Sequence, residues 1–184
     1  GMEIKPQPVK DANIFLKKFF EKEKVKHRFD KYKLKGKSNS LPTQKLEYAY
    51  AMDKKDFKNP KLQKKVALIE GNSALANNFF KANSYHFIVG DLPYGIAHNN
   101  ASKLQGESRN PYHFLDGSLD SWFDVLKPGG TMVLAWNANV LSKEKMRKLI
   151  KNHGFNVESE GAYNQFEHLV DSSIKRDIVV ARKG

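Results

Sequence analysis

Apolar positions along the chain recur with two spacings. Residues Val9 to Lys26 carry Ile14, Phe15, Phe19, Phe20 and Val25 near the i, i+4 spacing of a helix, with lysines filling the other face and Asp11 in the first turn, where a carboxylate suits the dipole. From His27 to Gln44 the periodicity lapses. Lys31, Lys33, Lys35, Gly36, Lys37, Ser38, Asn39 and Ser40 form a basic, polar stretch that reads as an insertion or mobile loop. Leu46 to Tyr50 then alternates as a strand does, and Val66-Ala67-Leu68-Ile69 is an apolar run of the buried-strand type, followed by a short helix from Ser73 to Lys81.

The second half repeats strand and helix more regularly. Phe87-Ile88-Val89 is a buried strand that runs into Gly90-Asp91-Leu92-Pro93-Tyr94-Gly95. Pro111 to Leu126 is helical and is stopped by Lys127-Pro128-Gly129-Gly130, after which Thr131 to Trp136 forms a third buried strand. Ser142 to His153 has a capping serine, Glu144 and Lys145 in its first turn, Met146, Leu149 and Ile150 on one face, and Gly154 as its stop. Two more strands lie near Phe155 to Glu158 and Ile178 to Ala181, the latter with Arg176 and Asp177 at its start, while Trp122 and Trp136 read as core. Strands alternating with helices predict an α/β fold, Rossmann-like and doubly wound around a mostly parallel sheet, with ligands beyond the carboxyl ends of the strands.

Length and charge narrow this picture. At 184 residues and 40% hydrophobic content the chain suits one domain with a real core. It has no cysteine, which excludes disulfides and thiolate zinc sites and fits a reducing cytoplasm. No apolar run approaches the roughly 18 residues of a membrane span, so a soluble cytoplasmic protein without a membrane partner is expected. Residues 1–65 hold 19 lysines and arginines against 8 carboxylates and the remainder holds 13 against 12, so the first third carries +11 of a net charge of +12. That asymmetry is the footprint of a surface that contacts a nucleic-acid backbone, or else of a solvated helix face with a basic loop.

The segment at the end of the second buried strand carries the chemistry. An exocyclic amine of a nucleobase is a weak nucleophile, because its lone pair is delocalised into the ring. Asp91 and the Leu92 carbonyl supply acceptors for its two hydrogens and can turn that lone pair towards a methyl donor. Pro93 fixes its own φ and biases Leu92 to extended backbone, Tyr94 offers a flat face to a base taken out of its stack, and Gly95 permits a sharp turn. Taken alone, the same residues also suit a strand-to-loop turn in which they serve geometry only. No spacing of His, Asp and Glu suggests a metal, and no Ser, His, Asp order suggests a hydrolase.

Asp91-Leu92-Pro93-Tyr94-Gly95 is similar to the D-[PL]-P-[YF]-G signature of class I S-adenosylmethionine-dependent methyltransferases, specifically RNA methylases related to the THUMP-containing tRNA guanosine-N2 methyltransferases. Leu126-Lys127-Pro128-Gly129-Gly130 resembles the turn before their fifth strand, and Phe166-Glu167-His168-Leu169-Val170-Asp171 with Arg176-Asp177 resembles a late stretch of a bacterial subgroup. The resemblance covers Val66 to Lys183. It implies catalytic roles for Asp91, Leu92, Pro93 and Tyr94, and S-adenosylmethionine as cofactor. Glu3, at the end of a second strand, would hold the cofactor's ribose, and Asn72 would stand where an acid bonds its adenine, or else would cap the following helix. Asp91 would border the cofactor as well. Gly95, His98, Arg109, Phe166 and His168 are candidate substrate contacts, against plainer readings as a turn residue, solvated loop, surface charge and packing.

The glycine-rich cofactor turn of that family has no match here. The resemblance thus implies a single domain, 1–184, lacking the first strand: residues 1–30 its second strand and helix, 31–45 the basic insertion, 46–184 the remainder. The sheet would be completed by a preceding segment or a second copy of the chain. The expected function is methylation of an exocyclic amine of an RNA base, most simply guanosine N2 in tRNA, with RNA held by the lysine-rich first third. The alternatives are an impaired fragment that only binds RNA and a methyltransferase for a protein amide or small amine.

Overall fold

The structure, a computed structural model, describes residues 1–36, 43–92 and 110–184. Its contacts divide the chain into two compact units, Gly1–Phe79 and Phe80–Gly184.

The first unit runs β1 (Met2–Glu3), α1 (Pro6–Lys22), β2 (Lys26–Leu34), β3 (Thr43–Ala51), α2 (Lys54–Phe57), β4 (Lys64–Glu70), a 3-10 turn (Ser73–Leu75) and α3 (Ala76–Phe79). Its sheet has the order β1-β4-β3-β2. Helix α1 starts three residues before the expected Val9, because a proline at the first helical position needs no N–H partner and brings its φ preset. Asp11 consequently lies beyond the first turn, where it accepts a hydrogen bond from Gln7 Nε2 at 2.8 Å.

The stretch expected as a basic loop is largely strand. β2 pairs antiparallel with β3 from Lys26↔Ala51 to Leu34↔Thr43, and residues 37–42, with Lys37 to Ser40, lie outside the described residues. β2 is lysine-rich because much of it faces solvent; Phe29 and Tyr32 are themselves more than a third exposed. Of the apolar residues expected on the buried side of α1, Phe20 and the following Val25 are buried with Tyr48, while Ile14, Phe15 and Phe19 are exposed.

The second unit runs β5 (Tyr85–Asp91), α4 (Tyr112–Val125), β6 (Leu126–Asn137), α5 (Lys143–Asn152), β7 (Phe155–Val157), a 3-10 turn (Gly161–Asn164), β8 (His168–Leu169) and β9 (Lys175–Lys183). Strand order is β5-β6-β9-β7, with β8 also on β9. Met132, Leu134 and Trp136 alternate along β6 at 0% exposure, and Val179 and Ala181 continue this row on β9. Leu115 and Leu119 of α4 and Met146, Leu149 and Ile150 of α5 complete the same core, as the i, i+3, i+4 pattern predicts. Ser142 caps α5 by accepting from Lys145 N at 3.4 Å, and Gly154 ends it at φ 85°.

Two expectations need correction. The sheets are mixed rather than mostly parallel: only β1/β4 and β5/β6 run parallel, while β9 lies antiparallel to β6, β7 and β8, and β3 antiparallel to β2 and β4. Hydrophobic pattern reports burial and not strand direction, so the sequence could not distinguish these arrangements. Nor is β5 buried. Phe87 and Val89, on the side of the sheet opposite the α4 and α5 core, are 69% and 80% exposed. Among the described residues no helix is long and apolar enough to cross a membrane.

Candidate active site

β5, α4 and β6 form a parallel strand-helix-strand unit, so the carboxyl ends of β5 and β6 lie side by side. Asp91 is the last residue of β5 and pairs with Ala135; Leu92 follows, buried, its N–H donating to the Ala135 carbonyl at 2.9 Å. The ladder therefore continues one residue past the aspartate and fixes where its carboxylate emerges. Pro93, Tyr94, Gly95, His98 and Arg109 lie outside the described residues.

Directly paired residues share a face, and residues two apart return to it. By that rule Asp91, Ala135, Asn137, Arg176 and His168 stand on one face of the carboxyl edge, because Asn137 pairs with Arg176 and Arg176 with His168. His168 lies three strands from Asp91, about 14 Å at ordinary strand spacing. One base cannot touch both, whereas an extended ligand can. Phe166 is nearby in sequence and its carbonyl is 3.0 Å from His168 Nδ1. Glu167 meets Lys175 at 2.8 Å.

This edge has a frame of which motif reading finds Asp177 but not Asn137. Asn137 Nδ2 donates to the Ser173 carbonyl at 2.9 Å and its Oδ1 accepts from Lys175 N and Asn139 N, each at 3.1 Å. Beside it Asp177, at 0% exposure, accepts from its neighbour Ile178 N at 2.8 Å and faces Lys143 Nζ of α5 at 2.9 Å. The sequence signal for both is a polar residue at one end of an apolar run, Asn137 closing one and Asp177 opening the other.

The other candidates belong to the first unit. Glu3 ends β1 and Glu70 ends β4 as direct partners, and Gly71 N donates to the Glu3 carbonyl at 2.9 Å, which brings Asn72 to the same carboxyl end. Glu3 Oε1 accepts from Lys5 N at 2.8 Å. Asn72 Oδ1 accepts from Ala74 N at 2.9 Å, the capping role that its position in the sequence allows, which leaves its amide nitrogen as the remaining donor. Neither β1 nor β4 is followed by a glycine-rich turn. Among the described residues there is no group of three His, Asp or Glu able to hold a metal.

No family profile matches the chain, and no curated protein matches it. Solved structures resemble it in part. A candidate DNA modification methylase from Thermus thermophilus aligns at 18% identity over 61% of this chain and 50% of that one, TM-score 0.41. The phosphoethanolamine N-methyltransferase 2 of Haemonchus contortus aligns at 13% over 70% and 40%, TM-score 0.38. The antibiotic-resistance methyltransferase Kmr aligns at 15% over 55% and 54%, TM-score 0.34. The chain thus spans about half the length of these proteins or less.

Proposed function

We propose that the chain is an S-adenosylmethionine-dependent methyltransferase acting on an exocyclic amine of an RNA base, with guanosine N2 of a tRNA as target. The observation that carries this reading is Asp91 at the carboxyl end of the parallel β5/β6 pair, its successor Leu92 buried and tied to Ala135. Ligands of α/β sheets gather at such an edge. A carboxylate there accepts the hydrogens of an amine, orients its lone pair and takes up the proton released when that lone pair forms a new bond. The Leu92 carbonyl is a second acceptor, and Tyr94 and Gly95, which follow at once in the sequence, supply a stacking face and clearance.

S-adenosylmethionine, when bound, supplies a methyl group on a cationic sulfur. Glu3 suits its ribose, since a carboxylate has two oxygens for a diol and, among the described residues, Oε1 accepts from Lys5 N at 2.8 Å. Asn72 would reach the adenine amine through its amide oxygen, whose second lone pair is left by the hydrogen bond from Ala74 N, and Phe166, His168 and Arg109 would meet RNA beyond the target base. The lysine-rich first third would hold the RNA backbone in the cytoplasm. β1 and β5 each end their own sheet among the described residues, and at either edge a preceding segment or a second copy of the chain would supply a pairing strand.

Transfer of labelled methyl groups from S-adenosylmethionine to unmodified tRNA tests this reading. Asp91→Ala should lower transfer by about a hundredfold or more while RNA affinity is kept; transfer that survives the change overturns the role. The absent glycine-rich turn favours a second reading, an RNA-binding unit without turnover. Calorimetry separates the two, for that unit gives no heat with S-adenosylmethionine.

A further inference from the structure

Along one flank of α5 runs a groove of about 330 Å³ that the site above does not use. Tyr112, at the first turn of α4, forms one wall; Leu141 and Leu149 are its buried apolar lining, and Lys145 and Lys148 stand exposed on its rim, with Asn152 at the far end. Lys145, Lys148, Leu149 and Asn152 follow i, i+3, i+4, i+7 spacing, so one helical stripe builds the whole flank. Its lysine Cβ atoms are about 5–6 Å apart by helix geometry.

The charges around this flank are unbalanced. Among the described residues neither Lys145 nor Lys148 pairs with a carboxylate, whereas Lys143 is committed to Asp177. Glu144 is the only acid on α5, and it lies among Lys143, Lys145 and Arg147. The nearest acids of α4, Asp116 and Asp120, are both engaged by His153. What remains is a positively charged groove with an apolar floor. Its Tyr112 and Leu141 end is also close to the sheet's carboxyl edge: α4 and α5 each follow a strand that ends there, and Leu141 accepts a hydrogen bond from Trp136 of β6.

We infer that this groove is a contact for the phosphate backbone of single-stranded RNA, carrying the strand away from the Asp91 edge along α5. The inference rests on the proposed RNA substrate and extends it, because it puts two phosphate contacts outside the lysine-rich first third. Two lysines one helical turn apart on the rim match successive charges of a polyanion, which a single free phosphate does not supply.

The test is fluorescence anisotropy of a labelled single-stranded RNA over a salt series, with the full chain. Lys145→Glu/Lys148→Glu should weaken binding about tenfold, and Lys145→Ala/Lys148→Ala should reduce the salt slope by about 1 to 2. Lys145→Arg/Lys148→Arg should bind as the parent does. All of these substitutions change exposed side chains, and circular dichroism verifies folding. If the parent chain binds RNA and loses affinity on Lys31→Glu/Lys33→Glu but keeps both affinity and slope in the groove variants, the groove inference is wrong and the substrate reading stands. If the parent binds no RNA, both fall.

Discussion

The Nδ1 of His153, at the C-cap of α5, lies 2.6 Å from Asp120 Oδ1 of α4. Its other ring nitrogen is 3.1 Å from Asp116 Oδ1, one helical turn back, so a single imidazole ties two helices through both its nitrogens. Burial by itself lowers the pKa of this histidine, but the hydrogen bonds and charges of Asp120 and Asp116 outweigh it and the pKa is raised. A group whose pKa is raised on folding contributes stability that is full below its unfolded value, about 6.5, and is lost as pH rises through the folded value. Thermal unfolding should therefore show the second unit losing up to about 1 kcal/mol from mildly acidic to alkaline pH, the exposed aspartates keeping the effect small. Asp116→Asn/Asp120→Asn should flatten that slope, and an unchanged slope would show the pairing to be idle.

Lys143 and Asp177 make the opposite case, a buried charge with one cation. Replacing Lys143 by methionine keeps the length of the stem and leaves the Asp177 carboxylate at 0% exposure without its 2.9 Å partner. The loss should be about 3 kcal/mol or more in urea unfolding. Lys143→Met/Asp177→Asn should recover much of it, since no charge is then stranded.

Glu47 of β3 binds the first unit together in a similar way. It is 7% exposed and receives Lys45 Nζ at 2.5 Å, Lys65 Nζ at 3.2 Å and the Tyr32 hydroxyl at 3.1 Å. Burial alone raises its pKa, yet hydrogen bonds from Lys45, Lys65 and Tyr32 prevail and hold it below the ordinary carboxylate range. Its contribution is then present above the unfolded pKa and lost as pH falls through the folded one. Glu47→Gln should cost about 1–2 kcal/mol at neutral pH and blunt the acid limb of the stability profile, both readable by denaturant melts.

Gly130 offers a test of the turn that precedes the buried part of β6. A Cβ there would lie 2.4 Å from Leu126 Cδ2 and 2.7 Å from the Lys127 carbonyl oxygen, and backbone cannot step aside as a side-chain tip can. Gly130→Ala should cost about 1–3 kcal/mol. Gly129→Ala meets no atom but sits at φ 73°, and should cost about 1 kcal/mol from backbone strain alone.

Legibility differed by region for physical reasons. α5 was readable in full, because Ser142, the Met146-Leu149-Ile150 stripe and Gly154 are cap, core and stop in one short segment. β2 was not. Its Lys26-His27-Arg28-Phe29-Asp30-Lys31 run lacks a buried row, and it is a strand because β3 lies beside it, a cause that no local window contains. Phe15 and Phe19 misled in the other direction, as aromatic residues at core spacing that solvent reaches. At the site, the end of β5 and its aspartate were visible as an apolar run meeting Asp91. Asn137 and the pairing of Arg176 with His168 needed the order of strands, which depends on contacts far apart in sequence.

The exposed rim of β5 also determines how the molecule behaves in bulk solution. Phe87 and Val89 make that rim adhesive, and a net charge of +12 keeps neighbouring copies apart while the ionic atmosphere is thin. The reach of that repulsion falls from about 30 Å at 0.01 M salt to about 8 Å at 0.15 M, whereas the adhesion does not fade with it. Static light scattering should find a positive second virial coefficient in dilute buffer that turns negative as salt is added, and Phe87→Lys should keep it positive. The lysine surplus then has a colloidal duty alongside any role in binding.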